Sequence, residues 1–112
     1  MERVTRVAQA LYDKKAMGIE VLDISEITSI GNYFVICTCT SSTQVKACAD
    51  EVEEKMDEIG IHPNHLEGYS GGNWILMDYG DIIVHIMNEE THEFYSLERL
   101  WSDAKEIKVD LK

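Results

Sequence analysis

The stretch from Asn73 to Met87 constrains this chain more than any other, because it reads as a β-hairpin with two unlike faces. Two apolar runs flank Asp78-Tyr79-Gly80-Asp81, and Gly80 supplies the positive φ that a two-residue connection needs. Pairing Asp78 with Asp81 sets Met77 against Ile82, Leu76 against Ile83, Ile75 against Val84 and Trp74 against His85. Side chains alternate across a strand. One face therefore carries Ile75, Met77, Ile82, Val84 and Ile86 and is wholly apolar, as a core face must be. The other carries Trp74, Leu76, Asp78, Asp81, Ile83, His85 and Met87. It is apolar in the middle, sets an indole beside an imidazole, and ends in carboxylates. A surface of that composition meets a partner. A competing packing lays the last helix over this face and puts both Trp74 and Trp101 in the core, where a tryptophan needs only one partner for its N–H.

The rest of the chain must build a sheet around that hairpin. Glu2 to Met17 is helical, with Val4, Val7, Ala8 and Leu11 in one stripe and Gly18 as a natural left-handed stop. Ile19 to Ile24 is a short strand. Asn32 to Cys39 is apolar, aromatic and β-branched without clean alternation, the pattern of a central strand buried on both faces. Ser41 and Gln44 form a capping box for a helix that runs to about Ile59 and stops at Gly60, with Val45, Ala49, Val52, Met56 and Ile59 facing inward. Its other faces are crowded with Asp50, Glu51, Glu53, Glu54, Asp57 and Glu58. Leu66 to Gly68 adds an edge fragment before the hairpin, and Asn88 is a possible cap after it. Phe94 to Trp101 is a last helix. The order α-β-β-α-β-β-α predicts an α/β (α+β) fold: a mixed β-sheet with flanking helices that leave one face partly bare.

At 112 residues the chain is one domain, read as 1–104 with a loose charged tail over 105–112. No run of ~18 apolar residues is present to span a membrane, and Met1 to Arg6 begins a helical pattern rather than a signal region. Three cysteines, with Cys37 and Cys39 badly placed to bridge, fit a reduced, cytoplasmic setting. The formal net charge of −11 argues against direct contact with nucleic acid and suits a basic protein partner.

The residues offer little catalytic chemistry. Asp78 and Asp81 could hold a metal as a degenerate, metal-dependent nucleotidyltransferase, but aspartate is favoured at turns anyway, and Thr40-Ser41-Ser42 lacks the glycine of a phosphate loop. His62 and His65 lack a second ligand pair for zinc. Cys39 with His85 is a conceivable nucleophile pair that nothing local marks. No glycine-rich dinucleotide fingerprint opens a helix. No catalytic residue, cofactor or metal is expected.

Three stretches together carry a resemblance. Asn32 to Cys37 leading into Ser41 to Ala47, then Trp74 to His85, then Phe94 to Trp101 resemble the Iojap-like ribosomal silencing factors, RsfS, over nearly the whole chain. The resemblance implies a fold related to nucleotidyltransferases but without their catalytic residues. It implies binding to the large ribosomal subunit through its ribosomal protein number fourteen, without turnover, so that the small subunit cannot join and translation is repressed when nutrients are short. No transit extension is seen, so the bacterial form is the one resembled, monomeric or homodimeric when free. The reading of the residues and the resemblance meet on the second hairpin face, where Trp74 is expected as the aromatic anchor and Asp78 and Asp81 as rim partners for basic groups.

Overall fold

The computed structural model describes residues 2–27, 29, 31–91 and 104–112. Helix α1 (Glu2–Asp13) is followed by β1 (Met17–Asp23), β2 (Tyr33–Cys39), α2 (Ser42–Asp57), β3 (His65–Glu67), β4 (Trp74–Asp78), β5 (Ile82–Asn88) and β6 (Lys105–Ile107). The strands form one sheet in the order β3-β4-β5-β2-β1-β6. The central pair β2·β5 is parallel and every other pairing is antiparallel. The mixed sheet and flanking helices are those the sequence predicts, with the edge fragment in place as β3.

α1 ends earlier than expected, and not at Gly18. The Lys15 amide donates to the Tyr12 carbonyl at 2.9 Å and the Ala16 amide to that of Leu11 at 3.1 Å, with Lys15 itself at φ +66. That is the Schellman pattern, closed here by a lysine. Gly18, at φ +58, instead sits where the β1·β2 register slips between Met17 and Glu20. A bulge there asks for the same left-handed backbone that a helix stop does.

The capping box of α2 forms with a twist. Ser41 Oγ accepts from the Gln44 amide at 3.1 Å. Gln44 Oε1 reaches back past the cap to the Thr40 amide at 2.7 Å, and its Nε2 donates to the Lys14 and Lys15 carbonyls at 3.0 Å each. One side chain thus caps α2 and fastens it to the end of α1.

The core lies between these helices and one face of the sheet. Val4, Val7 and Leu11 of α1 and Val45, Cys48, Ala49, Val52 and Met56 of α2 pack on Val21, Val35, Cys37, Ile75, Met77, Ile82, Val84 and Ile86. All five residues of the apolar hairpin face are in it. Ile59, expected inward, is 43% exposed beyond the end of the helix. The tail is not loose: β6 pairs with β1, Val109 and Leu111 pack against the core, and the Lys112 amide donates to Gln9 Oε1 at 2.9 Å. Alternate apolar residues, Ile107, Val109 and Leu111, explain why a charged segment docks. The helix read over Phe94 to Trp101 lies outside the described residues.

Candidate partner-binding surface

The hairpin closes one residue later than the sequence reading places it. The Tyr79 amide donates to the Ile82 carbonyl at 2.9 Å, so Gly80 and Asp81 are the two central residues. Gly80, at φ +89, takes the first central position, where a type II′ connection wants its glycine. Asp78 Oδ1 accepts from the Gly80 amide at 2.8 Å and fixes the turn. The pairs are therefore Asp78 with Ile83, Met77 with Val84, Leu76 with His85, Ile75 with Ile86 and Trp74 with Met87. The predicted register is off by two residues, so every partner changes while every side chain keeps its face.

The second face holds a smaller apolar cluster of its own. Leu22, Ile24, Phe34, Ile36, Ile83 and Met87 are buried in it, and Trp74, Leu76 and Ala104 pack against them partly exposed. The seven residues predicted to meet a partner thus divide. Ile83, His85 and Met87 are buried, at 6%, 5% and 0% exposure, and are not the open surface expected of them. Trp74, Leu76, Asp78 and Asp81 are half-buried. The open part is the β4 side, next to the exposed edge strand β3, whose His65 and Glu67 pair with Asp78 and Leu76.

His85 links the two parts. It stands diagonally from Trp74, not opposite, yet the Trp74 indole N–H donates to His85 Nδ1 at 3.1 Å. Diagonal neighbours lie within reach of a large aromatic. The Phe34 and His85 rings meet edge to face, with centroids 4.8 Å apart and planes at 67°. Burial pushes the His85 pKa down to about 4, so the ring is neutral at pH 7. An accepting Nδ1 assigns the proton to Nε2, which is buried with no hydrogen-bond partner among the described residues.

The backbone leading into Trp74 is held as firmly. Gly68 is left-handed at φ +80, and a Cβ there would collide with the Trp74 carbonyl oxygen. Tyr69 Oη donates to the Asp50 carboxylate at 2.9 Å, under the Lys46 ammonium 5.8 Å from its ring centre. Gly72 packs so tightly on α2 that an added Cβ would sit 2.9 Å from Ser42 Cβ. At the far end of the ladder the Asn88 amide donates to the Asn73 carbonyl at 2.9 Å, and Asn88 Oδ1 accepts from the Thr91 amide at 2.8 Å, the capping role foreseen for it.

The groups weighed for catalysis have other occupations. Arg3 forks onto both Asp81 oxygens, an ion pair across 78 positions that no local pattern signals. Cys39 points to the helix side of the sheet and His85 to the other, so they do not meet. Cys39 Sγ lies 3.5 Å from Cys48 Sγ instead. Its hydrogen bond with Cys37 leads in pushing the Cys39 thiol up to about 12, and that with Cys39 leads in raising the Cys48 thiol further, so neither is a ready thiolate at pH 7. His62 Nδ1 faces Asp57 at 3.1 Å. Among the described residues no group of three or more His, Cys, Asp or Glu could hold a metal, and no helix is long and apolar enough to cross a membrane. On the β4 side these residues set a half-exposed indole with its N–H engaged beside an apolar strip and a carboxylate.

Comparison with known proteins agrees with the resemblance seen in the sequence. The chain is 39% identical over 103 residues to the ribosomal silencing factor RsfS of Bacillus subtilis, covering 92% of this chain and 87% of that one. It is 31% identical over 107 residues to the chloroplast protein Iojap of Zea mays, covering 92% of this chain and 45% of that one. A crystal structure of a Bacillus halodurans protein superposes with a TM-score of 0.86 at 33% identity, covering 96% of this chain and 98% of that one. The family model described as "Ribosomal silencing factor during starvation", RsfS, matches residues 1–112, and the chain belongs to that family.

Proposed function

We propose that this chain binds the large ribosomal subunit through its ribosomal protein number fourteen and, by occupying that place, keeps the small subunit from joining. It acts by occupancy rather than turnover, represses translation when nutrients are limiting, and works in the bacterial cytoplasm. The observation that carries the reading is Trp74. It is half-buried on the second hairpin face, and its N–H is already satisfied by His85. Large rigid rings in that setting dominate interface energetics. Leu76 extends the apolar strip beside it, and Asp78 with the part-exposed Asp81 lies towards the turn. Ile83, His85 and Met87 serve from beneath, as the packed floor that fixes the strip.

The net charge of −11 supports a basic partner and steers the encounter. Co-sedimentation tests the reading. The chain is expected to travel with isolated large subunits and to be missing from joined ribosomes. Equal amounts on both particles, or on neither, would overturn it.

A further inference from the structure

We propose that His85 is a positioning residue for Trp74: it does not touch the partner, but holds the indole in the pose that docks. The inference rests on the reading that Trp74 meets the partner.

The first support is access. At 5% exposure His85 lies too deep to be a contact, whereas Trp74 is half-exposed on the neighbouring strand. The second is the bond itself. Trp74 Nε1–H donates to His85 Nδ1 at 3.1 Å, and the T-shaped contact with the Phe34 ring, 4.8 Å between centroids, sets the tilt of the imidazole. Indole direction is thereby coupled through His85 to β2, at the centre of the sheet.

The third support is cost. Among the described residues, the register sets Ile36 and Leu76 beside His85 on this face, Ile83 and Met87 flank it along β5 and the Phe34 ring lies against it, an environment in which an apolar residue would be the cheaper occupant. The imidazole instead leaves Nε2–H buried and unpaired among the described residues. Its visible return is one acceptor, aimed at one indole. An anchor fixed before docking loses less freedom on binding, which strengthens the complex without adding a contact.

The test begins on the unaltered chain. In ¹⁵N-labelled protein a scalar coupling across Trp74 Nε1–H···Nδ1 of His85, with His85 protonated at Nε2, is expected. Absence of the coupling, or a proton on Nδ1, overturns the proposal. His85→Phe then keeps a ring against Phe34 and removes the acceptor, with His85→Leu in reserve should that variant not fold. His85→Asn restores an acceptor near the Nδ1 position. The Phe variant is expected to fold, to expose its indole N–H to faster exchange, and to bind large subunits about five- to tenfold more weakly. The Asn variant is expected to recover both readouts. A freed indole N–H with undiminished affinity removes the positioning role alone. Trp74→Ala binding as well as the parent removes the anchor reading beneath it, so the two failures are told apart.

Discussion

Val84 is where a single atom-scale change tests the assignment of the hairpin faces. Its side chain is fully buried on β5, between the helices and the paired Val35 and Met77. Val84→Asp replaces a buried isopropyl group, worth about 2 kcal/mol of burial, by a carboxyl in the same place. The carboxyl stays neutral there, and protonating it at pH 7 against an unfolded pKa near 3.9 costs about 4 kcal/mol at 1.36 kcal/mol per unit. The loss of about 6 kcal/mol compares with a total stability of roughly 6–17 kcal/mol for a domain this long. Val84→Ala, which lacks the charge, should lose only about 2 kcal/mol. The sign with pH follows. The folded pKa of the new Asp lies above the unfolded one, so its penalty is greatest at neutral pH and fades as pH falls towards 3.9. Urea unfolding followed by circular dichroism should show Val84→Asp unfolded or nearly so at pH 7, with its gap from Val84→Ala narrowing in acid. A Val84→Asp chain that unfolds cooperatively near the parent midpoint would mean that the faces are inverted.

Other outcomes follow from the same structure. His85 has a folded pKa of about 4, below its ordinary value of 6.5, so its contribution is full above pH 6.5 and is lost as pH falls towards 4. That loss is about 3 kcal/mol, and urea midpoints should show a gentler acid slope for His85→Phe than for the parent; parallel slopes would refute it. Gly68→Ala should destabilise by about 3 kcal/mol and shift the Trp74 indole resonance, because its Cβ meets the Trp74 carbonyl. Gly60→Ala, equally left-handed at φ +76 but in open space, should cost only about 1 kcal/mol by the same measurement. Association with large subunits should slow as salt rises, chiefly in the on-rate; rates that stay flat would remove the steering role of the acidic surface.

The parts legible in the sequence were those governed by local rules. Alternation over Ile75 to Ile86 identified the core face, and Ser41 with Gln44 marked the start of α2. Register was not legible to the residue. Gly80 fits either central position of a two-residue turn, and a shift of two keeps every side chain on its face, so burial cannot choose between them. Long-range contacts were invisible for a plainer reason. Nothing near Asp81 announces Arg3, and nothing near Lys105 announces a place beside β1. The candidate surface was half legible. Composition put Trp74 and His85 on one face, but composition cannot tell an open strip from the floor beneath it. The burial of Ile83, His85 and Met87 belongs to the packing of the whole sheet.

The central claim is steric, and subunit joining measures it most directly. Purified small and large subunits are mixed with the parent chain or with Trp74→Ala, and joining is followed by light scattering. The parent should suppress joining in proportion to its occupancy of large subunits. Trp74→Ala should stay folded but less stable by about 1–3 kcal/mol, because the buried His85 Nδ1 loses its donor, and should lose ~2 kcal/mol or more of binding, roughly thirtyfold in affinity, so that joining proceeds as though nothing were added. A folded Trp74→Ala chain that still blocks joining would contradict the account.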